Sequence, residues 1–222
     1  CQDGSGNANT NDFTISFSVA SGTGSIFYID INHPSASNSN PGTEALPWST
    51  LQRINTATLA PGDTVYVKAG TYSVTSGGSW TTPAIAPAQS GTASAPITIA
   101  AYPGHTVIVD GGGNTINAVL GARTNYVTVR GFIVRNAGGW CFIAAGSGAS
   151  SHIIGVILEQ NECSGITGTG VANSAGFRIF HTDNTVVRNN LAHNDPIIGD
   201  NANVAGIFLE DYPDSGILSA CF

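Results

Sequence analysis

The chain has 222 residues, of which 41% are hydrophobic and 9% are charged, and it contains 28 glycines. This length suits one domain, and a composition rich in Gly, Asn, Ser and Thr favours β-strands and tight turns over long helices. The formal net charge of −7 argues against a basic face, so nucleic acid and anionic membrane surfaces are not expected as partners. The sequence has no uninterrupted apolar run of the ~18 residues that a transmembrane helix needs.

Residues 1–22 are predicted to form a polar tether that carries one extra strand. Residues 1–12 contain too few apolar side chains to order themselves, whereas residues 13–19 alternate apolar and polar side chains, the pattern of a strand with one buried face. Its apolar positions are Phe13, Ile15, Phe17 and Val19. Cys1 before such a tether is similar to the lipid-carrying cysteine of a bacterial lipoprotein, which would anchor the protein at the cell surface. An arbitrary processing site is the other interpretation.

Short β-branched or apolar runs then return at nearly constant spacing. Val129, Leu158 and Val187 recur with a 29-residue period, and Ile99 and Val67 precede them at slightly longer intervals. A period of this size predicts the stacked coils of a solenoid, because no single coil can bury its apolar face alone. We therefore predict an all-β parallel β-helix of about five to six coils over residues 23–222, with these five side chains in one file.

Three motifs in residues 26–72 resemble those of a known family. They are an Asn-Pro-Gly-Thr turn at residues 40–43, a Pro-Trp-Ser-Thr-Leu helix start at 47–51 and a Pro-Gly-Asp-Thr-Val-Tyr-Val strand at 61–67. In this order they resemble the first segment of bacterial right-handed parallel β-helix proteins of the pectate-lyase-like superfamily. The resemblance implies a right-handed β-helix and is specific for the fold, not for an activity.

The second motif also predicts a short amphipathic helix over the end of the solenoid. Ser49 or Thr50 is expected to cap this helix, with Leu51, Ile54 and Leu59 facing the core. Such a helix would cover the unpaired strands of the first coil.

The 29-residue period places charged side chains in two columns. Arg130, Glu159 and Arg188 should stack at the inter-strand spacing of about 4.8 Å as a ladder of alternating charge. A structural role is the first interpretation, and exposed pairs of this kind contribute only about 0 to 1 kcal/mol each. The alternative gives Arg130 or Arg188 the role of the proton-abstracting or substrate-gripping arginine of a polysaccharide lyase.

The second column contains Arg123, His152 and His181 and continues to Glu210 or Asp211. A histidine pair beside an acid can bind a metal or move protons. A solvated row of turn residues is the alternative interpretation. The candidate catalytic residues from both columns are Arg130, Arg188, His152, His181 and Asp211.

Lyases of the resembled superfamily abstract a proton next to a uronate carboxylate, commonly with calcium held by a cluster of acids. The acids of this chain are concentrated only between residues 183 and 214, and the single lysine, Lys68, lies inside the strand motif and is interpreted as scaffold. No pair of acids in one coil indicates a hydrolase. We therefore predict no metal site and no cofactor, and calcium enters only under the lyase alternative.

Four cysteines suggest an extracellular protein with disulfides. Cys141 and Cys163 lie in neighbouring coils but are closer in sequence than the 29-residue period, so a disulfide and two buried thiols both remain open. Cys1 and Cys221 lie at opposite ends of the predicted solenoid, so they do not easily meet within one molecule but could meet between successive copies.

Two functions from different classes are compatible with the sequence. Ala205–Leu209 repeats Ala175–Ile179 about one period later, so a further coil has begun without a polar cap after it. Either the chain is part of a longer protein or another copy covers this end. On the second interpretation we expect an extracellular structural protein that self-associates head to tail, as in a filament, with the strand at 13–19 added to the preceding copy. The other possible partner of this strand is its own first coil. The alternative is a carbohydrate-active protein, either an acidic-polysaccharide lyase or a glycan-binding β-helix.

Overall fold

The computed structural model describes residues 24–74, 77–79, 81–113, 118–148, 150–167, 174–193, 205–210 and 219–220. The elements in chain order are β1 (Ile26–Ile29), α1 (Arg53–Thr56), β2 (Thr64–Val67), β3 (Gly70–Ser73), β4 (Ile97–Ala101), β5 (Val107–Asp110), β6 (Ala118–Ala122), β7 (Val127–Arg130), β8 (Phe132–Arg135), β9 (Trp140–Ala145), β10 (Ile153–Ile154), β11 (Ile157–Glu159), β12 (Glu162–Ser164), β13 (Ala175–Phe180), β14 (Thr182–Asp183), β15 (Val186–Arg188), β16 (Leu191–His193), β17 (Ala205–Glu210) and β18 (Ser219–Ala220). Within these residues, no helix is long and apolar enough to cross a membrane.

The strands form three stacked parallel sheets that wrap one core. Sheet one has the order β1-β2-β4-β7-β11-β15-β18, sheet two has β16-β12-β8-β5-β3, and sheet three has β17-β13-β9-β6. A further small pair joins β10 and β14. Neighbours within each sheet come from successive circuits of the chain, so the sheets are built one circuit at a time. This architecture is the all-β parallel β-helix that the sequence period predicts.

The register of sheet one confirms most of the predicted file of apolar residues. Ile99 pairs with Val129, Val129 pairs with Leu158, and Leu158 pairs with Val187. The prediction for Val67 was wrong by two positions.

Val67 pairs with Ala101, and Val65 is the residue opposite Ile99. The first complete circuit is therefore longer than the spacing of the apolar runs suggested, because the loop after β3 adds residues that the pattern does not reveal. A slip of two positions keeps both valines on the inner face, since strand side chains alternate with a period of two. Both are fully buried.

A disulfide joins Cys141 and Cys163 inside the core, with the two Cα atoms 5.8 Å apart. Cys141 lies on β9 of sheet three and Cys163 lies on β12 of sheet two. The 29-residue rule governs positions within one sheet, whereas these two side chains meet between sheets. Their sequence separation of 22 is therefore the path along the chain from one sheet to another, and the question left open by the sequence is settled as a disulfide.

The turns between strands repeat with the same period as the strands. Gly131, Gln160 and Asn189 follow one another at 29-residue intervals and have φ values of 80°, 56° and 54°. Each lies in the left-handed region between sheet one and sheet two, where glycine and asparagine are favoured and glutamine is strained by roughly 1 kcal/mol. The stacking of the circuits therefore imposes this left-handed turn. Only Gly131 and Asn189 are residue types that favour it.

The first circuit is closed by its own chain. Trp48 is 2% exposed, bridges to Ile29, and stacks on Phe27 with ring centroids 5.0 Å apart. The predicted core-facing residues of the cap, Leu51, Ile54 and Leu59, are all buried. The predicted cap on the solenoid is present.

The predicted helix cap residue was wrong. The N-cap of α1 is Gln52, which makes no side-chain capping hydrogen bond. Ser49 and Thr50 instead donate their backbone N–H groups to Oδ1 of Asn38 at 3.1 Å. The loop that precedes the helix therefore captures these two residues, and α1 is reduced to a single turn.

Tyr72 is expected to make the fold sensitive to alkaline pH. Its hydroxyl donates to the Lys68 carbonyl at 2.9 Å and accepts the Ile31 N–H at 3.2 Å, and burial raises the pKa of Tyr72 to about 12. Because the folded-state pKa lies above the ordinary value of about 10, this stabilisation is complete below pH ~10 and is lost as the pH rises through ~12.

Tyr72→Phe should therefore lower the free energy of unfolding by about 1 to 2 kcal/mol at neutral pH, because two backbone groups lose their partner. The difference between wild type and variant should then narrow above pH ~10. Urea unfolding at several pH values measures both effects. A difference that stays constant up to the alkaline limit would contradict the assignment of a buried, hydrogen-bonded hydroxyl.

The strand predicted at residues 13–19, with Phe13, Ile15, Phe17 and Val19, lies outside the described residues. The same holds for Cys1, Cys221 and Asp211.

Candidate functional site

Arg123, His152 and His181 lie in one column along an edge of the solenoid. The parallel pairing of β10 with β14 places His152 beside His181, with ring centroids 5.5 Å apart. One circuit earlier, the Asn125 side chain accepts the Ile154 N–H at 3.0 Å, which holds the turn that carries Arg123 in the same register. The column therefore follows from the 29-residue repeat of the backbone.

His152 forms a pair with Asp183 on the neighbouring circuit. Nδ1 of His152 donates to Oδ1 of Asp183 at 3.2 Å. The side chain of His152 is 12% exposed and that of Asp183 is 30% exposed, so the pair is partly accessible from solvent, mainly at Asp183. A carboxylate at Nδ1 fixes the ring orientation and leaves Nε2 as the atom that can meet a ligand or exchange a proton.

A buried cation lies behind the histidines on the outer face of sheet three. The guanidinium carbon of Arg178 is 4.5 Å from the Trp140 ring centroid and 4.8 Å from that of Phe180. The Phe180 ring in turn lies 3.8 Å from the ring of His181. Arg178 and His181 are only 3% and 4% exposed, so His181 is the buried member of the column and Arg178 packs behind it.

This supporting layer was not predicted from the sequence. All six residues of β9, Trp140–Ala145, are buried, so both faces of the strand are covered. The outer-face cluster also includes residues of β6 and β13. A run of six residues without alternation is the available signal, since a strand that is apolar on both faces is covered on both faces.

A cavity of about 500 Å³ adjoins the column at Arg123. It lies where α1, residues 77–78 and 82–88, and the turn after β6 meet. The polar groups of its lining come from Asn55, Thr82, Thr124, Arg123 and the backbone of Gly77 and Gly78. This volume falls within the range of about 300 to 1,000 Å³ that is typical of small-ligand sites.

Arg130, Glu159 and Arg188 lie in register on the outer face of sheet one. Glu159 contacts Nη2 of Arg188 at 2.7 Å and Nη1 of Arg130 at 3.9 Å. The carboxylate lies between two guanidinium groups, which relieves their mutual repulsion. This geometry favours the structural interpretation, because an arginine engaged with Glu159 is not free to abstract a proton.

Lys68 is also held by an acid. Its Nζ lies 2.8 Å from Oε1 of Glu44, and this hydrogen bond raises the pKa of Lys68. A lysine that abstracts a proton needs a lowered pKa so that it is neutral at working pH. Lys68 is therefore better suited to its scaffold role than to that of a catalytic base.

The carboxylates of the described residues do not suit calcium. Each engages its own local partner, and within the described part of the chain no three metal-ligating side chains come together. The acids concerned are Asp30, Glu44, Asp63, Asp110, Glu159, Glu162 and Asp183. Calcium needs several converging oxygens, and these carboxylates do not supply them in one place.

Comparison with known proteins agrees with the fold. Residues 28–206 match the family described as the Pel9A-like right-handed β-helix region. No curated protein matches the chain. The crystal structure of the GH136 lacto-N-biosidase from Eubacterium ramulus matches 83% of this chain and 40% of its own, with 14% identity and a TM-score of 0.59.

Two further solved structures are lyases. The pectate lyase Pel9A matches 77% of this chain and 45% of its own, with 18% identity and a TM-score of 0.50. A rhamnogalacturonan lyase matches 78% of this chain and 36% of its own, with 25% identity and a TM-score of 0.48. The chain thus spans less than half the length of these structures, and the likeness concerns the fold alone. With most of its residues matched by the family model, the chain belongs to the Pel9A-like right-handed β-helix family.

Proposed function

We propose that this chain binds a glycan at the column of Arg123, His152 and His181, as the β-helix part of a carbohydrate-active protein. The observation that carries the proposal is the partly accessible His152–Asp183 pair in the same column as an arginine beside a cavity. Relatives of this fold include a lacto-N-biosidase and a pectate lyase, which act on carbohydrates by their names. Function resides in the site and not in the fold, so the site residues must be tested directly.

The chemistry of the column suits sugar hydroxyls. Asp183 holds Nδ1 of His152, so Nε2 is directed away from that contact and can accept a hydrogen bond or a proton from a hydroxyl. His181 lies against Phe180 and is buried, with φ at 48°. A strained backbone at a candidate site is consistent with a side chain held in place for binding. His181 is therefore assigned a positioning role.

His152→Ala is expected to weaken glycan binding about tenfold, the loss expected for one hydrogen bond to a ligand. The matched control is His193→Ala, because His193 also pairs with a carboxylate, Glu162, at 3.0 Å but lies on sheet two. Glycan-array screening of the wild type, followed by calorimetry of both variants, makes the measurement. Equal affinities for the two variants would refute the assignment of His152.

The same preparation also tests for catalysis. Release of unsaturated products from pectate, alginate or chondroitin, followed by ultraviolet absorbance with and without calcium, distinguishes a lyase from a binding protein. Absence of both binding and product with every glycan would refute the proposed function.

Head-to-tail self-association is a second proposal for this chain. It is supported by exposed apolar side chains on the first circuit, where Ile26, Ile31 and Leu46 are 52%, 43% and 44% exposed. The edge of β1 at Tyr28 and Asp30 is already hydrogen-bonded to the chain's own Trp48, so contact at this end would use side chains and not strand addition. Sedimentation at increasing protein concentration, together with negative-stain microscopy for filaments, tests this proposal. The extracellular location and the lipid anchor at Cys1 likewise remain proposals.

A further inference from the structure

Long-range hydrogen bonds cross-link the walls of the cavity at Arg123. Asn55 of α1 donates its side-chain amide to the Ala84 carbonyl at 2.7 Å and accepts the Ala86 N–H at 3.0 Å. The Thr124 hydroxyl donates to the Gln89 carbonyl at 2.8 Å. These contacts tie residues 84–89 to the helix on one side and to the turn after β6 on the other. The walls of the cavity are therefore joined by hydrogen bonds of the chain itself, which lowers the ordering cost of binding.

Arg123 supplies positive charge to this cavity without an internal counter-ion. Its side chain is exposed, and it makes no ion pair or hydrogen bond with any described residue. The other arginines of the two columns behave differently, since Arg130 and Arg188 share Glu159. The next member of its own column, His152, has Asp183 as its partner. The chain is acidic, with a net charge of −7, yet Arg123 beside the cavity has no carboxylate partner among the described residues. Its guanidinium group is therefore available to an anionic ligand.

A guanidinium group in such a setting recognises anions. Its planar fork matches the two oxygens of a carboxylate or a sulfate, and hydrogen bonds to charged groups are roughly twice as strong as neutral ones. The other polar groups of the lining, from Thr82 and the Gly77–Gly78 backbone, can meet hydroxyls. The lining thus combines one cation with several neutral polar groups, as a charged sugar requires.

We propose that the cavity at Arg123 is an anion subsite that binds one acidic sugar unit of the glycan, through its carboxylate or sulfate group. This proposal rests on the proposed function and adds a second subsite to it. Arg123 lies one circuit, about 4.8 Å along the axis, from His152. A glycan running parallel to the solenoid axis therefore places its charged unit in the cavity and a neighbouring unit at Nε2 of His152.

The test compares Arg123→Gln with the wild type on matched pairs of glycans. An oligogalacturonide and its carboxyl-reduced form differ only in the carboxylate, and chondroitin sulfate and its desulfated form differ only in the sulfate. We expect Arg123→Gln to weaken binding of one acidic ligand at least tenfold, or about 1.4 kcal/mol, and to leave the neutral form unchanged. The ligand pair that shows this difference identifies the anion.

A matched variant controls for the loss of surface charge. Arg188→Gln removes the same charge from an exposed arginine on sheet one and should leave the affinity for both forms unchanged. Wild-type binding to glycans that is unaffected by Arg123→Gln would overturn the subsite alone, and so would equal loss for charged and neutral forms. No wild-type binding to any glycan would instead refute the proposed function, and the subsite with it. Circular dichroism of both variants verifies that the fold is intact.

Discussion

Gly121→Ala is expected to lower the free energy of unfolding by at least about 4 kcal/mol. Gly121 lies in β6 opposite Ile143 of β9. A Cβ atom built on Gly121 overlaps the carbonyl oxygen of Ile143, which belongs to the backbone and cannot rotate away. Either β6 and β9 separate and lose their ladder, or the peptide at Ile143 turns out of the sheet, and both outcomes are costly.

Gly148→Ala is the matched control for this prediction. No heavy atom lies within 4 Å of the Cβ position at Gly148, and its backbone is not in the left-handed region. We expect this variant to stay within about 0.5 kcal/mol of the wild type. Urea unfolding followed by circular dichroism gives both free energies. Equal stabilities of the two alanine variants would show that β6 and β9 are not as close as the structure places them.

Much of the fold could be predicted because a solenoid repeats its constraints. Each circuit must return an apolar residue to the same inward position, so Val129, Leu158 and Val187 are visible as a period in the sequence. The register of Val67 could not be predicted, because a long loop changes the length of a circuit without altering which residues face inward. The period therefore predicts which side chains of a strand face the core more reliably than it predicts which residues pair with them on the next strand.

Contacts between sheets were not predictable from the same rule. Cys141 and Cys163 join two adjoining sheets, and their spacing depends on the path of the chain between those sheets. The layer of Trp140, Arg178 and Phe180 depends on what covers the outer face of sheet three. Periodicity carries no information on either, since it compares only positions in the same column.

The candidate site also has one part that the sequence predicted and one part that it did not. The column of Arg123, His152 and His181 follows from the period and was predicted. Its chemistry does not follow, because the pair of His152 with Asp183 joins positions 31 apart, two more than one circuit. The cavity requires α1 and residues 82–88 to meet Arg123, a long-range contact outside the repeat. Sequence periodicity thus predicted the column, whereas the partner of His152 and the cavity beside Arg123 were visible only in the structure.

Asn161→Ala tests a second feature that stabilises the stack of circuits. This feature is a pair of stacked asparagines at the turn between sheet one and sheet two. Asn161 is 2% exposed, accepts the Phe132 N–H at 3.1 Å and donates to the Val129 carbonyl at 3.0 Å. One circuit later, Asn190 accepts the Asn161 N–H at 2.8 Å. Each amide therefore satisfies backbone groups that the left-handed turn residues remove from the sheet ladders.

Loss of the Asn161 amide leaves a buried donor and a buried acceptor without partners, and each costs about 1 to 3 kcal/mol. We expect Asn161→Ala to lower the free energy of unfolding by about 3 kcal/mol. Asn32→Ala is the control, because Asn32 also donates to a backbone carbonyl, that of Ala69 at 2.9 Å, but in an exposed position. Water replaces that bond, so its loss should cost less than about 1 kcal/mol. Similar losses for the two variants in urea unfolding would mean that water reaches the turn at Asn161, and that the asparagine stack does not hold the circuits together.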